Sequence, residues 1–244
     1  AKYNNLVHLH YNQTSSPMNS EIVQECRGLI IDESQQNRVI SFPYTKFFNF
    51  NEDLVSGSFG QNFAKSGFNW YDPEIKIFEK VDGSLATLYY YDGKWHVAST
   101  GVPDGSGRMG FVQAETLQSN AEGEEDAISQ AQLQQKQQEA IMSAMPTFAQ
   151  IFWDIWNKLQ YKLPFDTNYC YMFEMITLKH KLIVQYKEDS IVFHGARNLT
   201  TFQEVLPEFF FTKHGDEQAT KLNWQVAQPM FPGIIEKLIT EAKS

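Results

Sequence analysis

Cysteine is scarce: the 244 residues hold only Cys26 and Cys170. Neither sits in a metal-type spacing, so two buried thiols in a reducing compartment are the expectation. Positive charge is short as well. Twenty Lys and Arg face 29 Asp and Glu, a net charge of −9. That balance disfavours a bulk-basic nucleic-acid binder but leaves room for a local basic cleft. No apolar run reaches the ~18 residues of a membrane span. The first residues lack the basic-then-apolar pattern of a signal peptide, and a cytoplasmic or nuclear location is expected. There is no internal repeat and no Walker-type glycine-rich phosphate loop. Aromatic residues, by contrast, are plentiful, at 14% with 19 Phe. Such a composition is not that of a disordered chain, and the length suits one large domain or two small ones.

The most informative stretch is 75–91. A β-rich run ends at Glu79, Lys80-Val81-Asp82-Gly83 follows, and a second β-rich run starts at Ser84. Asp-Gly between two such runs signals a tight turn, because glycine accepts positive φ. Two readings stand side by side: a plain hairpin with a surface lysine, or a nucleophilic lysine at a strand end. A lysine nucleophile must lose its proton near neutral pH, which takes desolvation or cationic neighbours.

Candidate neighbours lie upstream. Residues 25–42 predict an antiparallel hairpin turning at 33–37, with Arg27 beside the apolar Leu29-Ile30-Ile31 run. An arginine there is either half of a structural ion pair or a phosphate contact. Lys46 precedes Phe47, Phe48 and Phe50, which crowd around Asn49. His8 and His10 share a face of a short predicted strand, but no third metal ligand is nearby.

Downstream, 84–91 and 94–100 predict a second hairpin through Asp92-Gly93. From about 111 to 163 the chain becomes helix-forming and acidic, with seven acidic residues against two lysines between 114 and 160. Two helices are expected, 112–119 and 126–159, the second broken at Pro146. Phe148, Ile151, Phe152, Ile155, Trp156 and Leu159 give it one apolar face that docks on a sheet. Residues 168–176, 179–186 and 190–198 read as strands, the first with the lone carboxylate Glu174 in apolar surroundings. After 199 the pattern is helical in pieces, 204–211 and 234–242.

Lys80-Val81-Asp82-Gly83, Phe173-Glu174-Met175 and Val192-Phe193-His194-Gly195-Ala196-Arg197 occur in an order that resembles the covalent nucleotidyltransferases, the ATP-dependent ligases and capping enzymes. Glu25-Cys26-Arg27-Gly28 and the Lys46 stretch narrow the likeness to the RNA-repair ligases of the T-even bacteriophage type. The resemblance implies an α+β nucleotidyltransferase fold: antiparallel sheets around an ATP cleft, with an acidic helical insertion at 104–165 inside a 1–244 adenylyltransferase domain. It implies that Lys80 attacks the α-phosphate of ATP and becomes lysyl-AMP, with Asp82 and Gly83 shaping the turn that presents it. The Glu79 carbonyl would meet the adenine amino group and Phe193 would stack on the base. Glu174 would bind the ribose or a metal-bound water, with Mg²⁺ as the ion. Arg27 and Lys46 would hold the triphosphate, and Tyr11 would approach it. AMP would then pass to an RNA 5′-phosphate, and a 3′-hydroxyl would seal the strand.

The chain departs from that pattern in three places. The family's later Glu-Gly and Lys-x-Lys motifs are not found after Asn198. Lys179-His180-Lys181 has the letters of the second but directly follows Glu174, and Lys181 is kept as a candidate phosphate contact. A C-terminally truncated domain is the expectation. Ser99-Thr100-Gly101 stands where family members often carry a lysine, and the acidic segment is longer than in the phage enzymes. Two other readings stay open: a capping guanylyltransferase or DNA ligase, and a non-catalytic module whose acidic helices bind a protein partner.

Overall fold

The computed structural model describes residues 5–48, 76–109, 136, 140–179, 183–214 and 221–229. The helices expected at 112–119 and 234–242, most of the front half of 126–159, and Lys181 lie outside the described residues.

A small antiparallel sheet comes first. β1 (Leu6–His10) pairs with β2 (Arg27–Asp32), and β2 with β3 (Arg38–Ser41). α1 (Glu21–Glu25) leads into β2. The expected 25–42 hairpin is present. Its turn is a 3-10 segment, Glu33–Gln35, followed by Gln36 and Asn37 at φ 56° and 59°. The buried Asp32 carboxylate accepts from Ser34 N (2.9 Å) and from the Tyr91 hydroxyl of the next sheet (3.0 Å).

The second sheet has six strands. β4 (Ser84–Tyr91) pairs with β5 (Lys94–Ser99) and β6 (Tyr169–Ile176), and β6 with β7 (Ser190–Asn198). The far edge of β7 carries the short β8 (Glu204–Val205), antiparallel, and β9 (Gln225–Val226), parallel. The β4–β5 hairpin turns through Asp92 and Gly93 at φ 48° and 76°, the positive pair that a tight two-residue turn demands.

α2 (Phe148–Lys158) packs on one face of this sheet. Thr147 and Gln150 form a reciprocal capping box at its start. Its apolar stripe, Phe148, Ile151, Phe152, Ile155 and Trp156, enters one core with Tyr171, Phe173, Phe193, Phe210 and Trp224. The expected docking of this helix on a sheet is therefore present, after a short helical stretch at 140–144 and a break at Pro146. Each of these large side chains contributes roughly 1.5–3 kcal/mol on burial. The opposite face is shared. Near one end the small sheet covers it, packing Ile30 and Ile40 on Tyr89, Ala98 and Cys170. The rest of that face borders a cleft.

Several expectations need correction. The run before Lys80 does not form a hairpin with β4: Phe78 bridges Pro229, and β4 is flanked by β5 and β6. The expected strand over 179–186 is not a strand among its described residues, because its backbone N–H groups go to a side chain instead. The helix expected over 204–211 begins only at Pro207, as α3 (Pro207–His214), since Glu204 and Val205 pair with β7. Proline suits that first helical position, where no intrahelical N–H partner exists. No helix among the described residues is long and apolar enough to cross a membrane. The architecture is mixed α+β with antiparallel sheets, as expected.

Candidate active site

Lys80 sits on an irregular segment pinned at four points. Val81 is buried with Ile176, Val192 and Ala227. Glu79 N donates to Gln228 O (3.2 Å). Asp82 N donates to the Tyr186 hydroxyl (2.9 Å). The Asp82 carboxylate accepts from Ile183 N (2.6 Å) and Val184 N (2.9 Å). The Val184 N–H is the main influence holding that carboxyl below its usual range, with the Ile183 N–H and Lys80 adding to it. Gly83 is required by space rather than by turn geometry: a Cβ there would stand 2.6 Å from Met175 O. Asp82 thus fastens a distant loop to the lysine segment, and Gly83 lets that segment lie against β6.

The pinned lysine faces a cleft of about 900 Å³. Arg27, Tyr44 and Phe47 line it from the small-sheet side; Glu79, Lys80, Gly83 and Ser84 from the lysine segment; Ser99, Thr100 and Arg108 from β5 and its following loop; Glu174 and His194 from β6 and β7. The volume lies within the range of small-molecule sites, ~300–1,000 Å³. The Arg27 guanidinium lies 4.7 Å from the Phe47 ring centroid. Its Nη1 is shut from solvent and has no hydrogen-bond partner among the described residues, and the same holds for His194 Nε2. Buried polar groups normally have partners, so two orphans lining one cleft point to a ligand.

Burial pushes the Glu174 carboxyl up to about 7, although Lys80, Arg27 and the Gly83 N–H favour its charged form. Burial, and secondarily Lys80, lowers His194 from its ordinary value.

Of the residues expected from sequence, Lys80, Arg27, Glu79, Gly83 and Glu174 are brought together. Asp82 acts from behind the wall. Three others are not among the lining residues. Tyr11 is buried, donating its N–H to Cys26 O (2.8 Å) and stacking on His10. Lys46 lies over the Phe48 ring and donates to Phe47 O (3.0 Å), beside the cleft's Phe47. Phe193 is 0% exposed, inside the aromatic core, so it offers no face to a base. His194, its neighbour, faces the cleft instead. Tyr44, Arg108 and His194 were not anticipated. Arg108 has only its glycine-rich loop as a signal. That loop is stapled to the start of α2 and to the turn before it: Phe148 N donates to Gly107 O (2.7 Å), and Arg108 Nη1 to Met145 O (2.6 Å).

Residues 25–229 match the family described as RNA ligase. The chain belongs to the RNA ligase family. It is 27% identical over 218 residues to an RNA ligase of Rhodothermus phage RM378, an alignment that covers 81% of this chain and 43% of that protein. A shorter stretch of 96 residues is 35% identical to a protein of Autographa californica nuclear polyhedrosis virus named as a bifunctional polynucleotide kinase/RNA ligase, covering 39% of this chain and 13% of that protein. The chain thus spans less than half the length of either relative. The family match runs from just before Arg27 to the Pro229 that bridges Phe78, so it takes in every lining element of the cleft.

Proposed function

We propose that this RNA ligase family chain is the self-adenylylating part of an ATP-dependent RNA ligase, built on the nucleotidyltransferase fold. One observation carries the reading: Lys80, Arg27 and Glu174, far apart in sequence, line one cleft of nucleotide size whose wall holds a guanidinium nitrogen with no partner among the described residues. A lysine held at a fixed point beside a guanidinium suits attack on a phosphoryl group.

In the first step the Lys80 Nζ lone pair forms a bond to the α-phosphorus of ATP, the bond from that phosphorus to the bridging oxygen breaks, and pyrophosphate leaves. The proton lost by the lysine goes to solvent. Arg27, with Arg108 from the loop after β5, offsets charge on the leaving group. In the second step an RNA 5′-phosphate oxygen bonds to that phosphorus, the Lys80 Nζ–P bond breaks, and the lysine leaves and regains a proton from solvent. In the third a 3′-hydroxyl displaces AMP and the strand is joined. Glu174 binds the nucleotide side of the cleft. Among the described residues no three His, Cys, Asp or Glu cluster together. That suits a Mg²⁺ held by one carboxylate, water and substrate phosphates rather than by a protein cage. Such an ion, once bound, would neutralise phosphate charge. The 104–165 segment is only partly an insertion in this reading, because α2 belongs to the core. The excess of acidic residues between 114 and 160 argues against direct contact of that segment with RNA phosphate.

The test is intact mass after incubation with ATP and Mg²⁺. A gain of one AMP in the wild-type chain, absent from Lys80→Ala, is expected. GTP labelling in place of ATP would assign the chain to capping chemistry. No gain with either nucleotide, in this chain and in the full-length protein, overturns the proposal.

A further inference from the structure

Large apolar side chains exposed singly are ordinary on a protein surface. Phe47 is different. It is 56% exposed, yet it lines the cleft, and the Arg27 guanidinium lies 4.7 Å from its ring centroid. The next ring repeats the arrangement: Lys46 Nζ is 4.7 Å from the Phe48 centroid. Both spacings are within the ~6 Å over which a cation is drawn to an aromatic face. Two cations and two adjacent rings therefore stand together in a chain whose net charge is −9.

Residues 44–48 belong to no strand, but their backbone is held. Lys46 N donates to Gln24 O in α1 (2.7 Å). The Tyr44 hydroxyl donates to the His194 carbonyl on β7 (2.9 Å). Lys46 Nζ donates to Phe47 O (3.0 Å). The two rings are thus presented on a pinned segment. Arg27 spends the face of its guanidinium on Phe47, while its Nη1 has no partner among the described residues, so an edge remains for an anion. The row also has a direction. Arg27 and Phe47 line the cleft; Lys46 and Phe48 are not among its lining residues. A mononucleotide can be contained by the cleft, whereas a strand has to leave it. Cations interleaved with aromatic rings suit a single-stranded nucleic acid, because every base has a face that can stack.

We propose that Phe47 is an RNA contact: its ring stacks on a base near the 5′-phosphate end of a single-stranded RNA, at the mouth of the cleft where the strand enters. This rests on the RNA ligase reading above, in which that 5′-phosphate meets the AMP carried by Lys80. A single strand is favoured over a duplex, because a base paired and stacked within a helix has no free face for the ring. RNA is favoured over ATP as the stacking partner for two reasons. A ring more than half exposed stands at the opening rather than deep in the cleft, and the row of cations and rings continues past the residues that line it.

The experiment measures equilibrium binding to the full-length protein carrying Lys80→Met, in which neither ligand reacts. The probes are a labelled, 5′-phosphorylated single-stranded oligoribonucleotide, read by fluorescence anisotropy, and ATP with Mg²⁺. Phe47→Ala should weaken RNA about ten-fold and ATP by less than about three-fold. Phe47→Trp should restore RNA binding, and Phe47→Leu should not. A strand made abasic over its 5′-terminal nucleotides should bind Phe47→Ala and its parent within about two-fold of each other, since the base that stacked is gone. The inference is overturned if Phe47→Ala binds the intact strand within about two-fold of its parent, if ATP affinity falls in step with RNA, if the abasic strand stays as sensitive to Phe47 as the intact one, or if the parent binds no RNA. Intact mass with ATP alone tests the adenylylation reading separately. AMP gained by the wild-type protein with RNA binding indifferent to Phe47 removes this inference and leaves that reading; RNA binding that responds to Phe47 with no AMP gained does the reverse. Should Phe47→Ala not fold, Phe47→Leu decides by the same criteria.

Discussion

On one face of the six-stranded sheet, Tyr171, Phe173, Phe193, Phe210 and Trp224 meet each other at ring-centroid distances such as 5.0 Å for Phe193 with Trp224 and 5.1 Å for Phe173 with Trp224. On the other face the same strands present Glu174 and His194, a carboxyl pushed up to about 7 by burial and a ring nitrogen with no partner among the described residues. Alternation alone sends Phe173 to one side and Glu174 to the other. The aromatic face gains from burial; the cleft face carries groups whose burial costs free energy until a ligand meets them. Stability and chemistry are thus divided between the two surfaces of one sheet, and substitutions on each should report different quantities.

The largest effect is expected on the aromatic face. Phe193→Ala should cost about 3–5 kcal/mol of folding stability, read by urea or thermal unfolding, with ATP affinity retained by the folded protein. A loss of affinity without a loss of stability would break the division. Behind the cleft, Asp82→Ala removes the acceptor for the Ile183 and Val184 N–H groups and frees the loop tied to the lysine segment. AMP transfer to Lys80 should slow by about 100-fold, followed by intact mass over time, with a smaller change in unfolding than Phe193→Ala gives.

Glu174→Gln should sharpen the contrast by stabilising the protein while harming its function. The carboxyl is raised from 4.5 to about 7 on folding. Between those values the folded state binds more protons than the unfolded, so the stability attached to this group is greatest below 4.5 and declines as pH rises through 7. Glutamine removes that decline. At pH 8 the variant should exceed the wild type by about 1–3 kcal/mol, and the gap should close toward pH 5; a gap independent of pH would rule out the titration as its cause. The smallest effect is expected at Arg108→Ala. Loss of one exposed cation on the cleft wall should weaken ATP by up to about ten-fold and AMP less, with the difference shrinking at high salt.

Elements with local signals were legible in the sequence. Asp92-Gly93 announces the β4–β5 turn, and the 3–4 spacing of Phe148 to Trp156 announces the buried stripe of α2. That the Lys80, Glu174 and Arg27 stretches meet was implied by the family resemblance their order carries. The sequence was misleading where a distant partner overrides a local preference. Lys80-Val81-Asp82-Gly83 reads as a turn, yet Asp82 spends its carboxylate on Ile183 and Val184, and Gly83 is small because Met175 O passes beside it. The apolar run around Ile183 reads as a strand, but that same carboxylate takes its N–H groups. β9 has only two residues and exists through its pairing with Val192 and Phe193. Arg108 belongs to a loop with no periodicity to read.

Composition and alternation, which are local properties of the chain, determined that there would be an aromatic core, a half-buried carboxylate on β6, and a lysine beside a short connection. Which ring of the Phe193-His194 pair turns to the cleft depended on the register between β6 and β7. A single extra residue opposite Met172 and Phe173 reverses the face of everything after it. That register is held by the Tyr44 hydroxyl on the His194 carbonyl and by the pairing of Ala196 with Val205, residues that adjoin β7 only once the chain has folded.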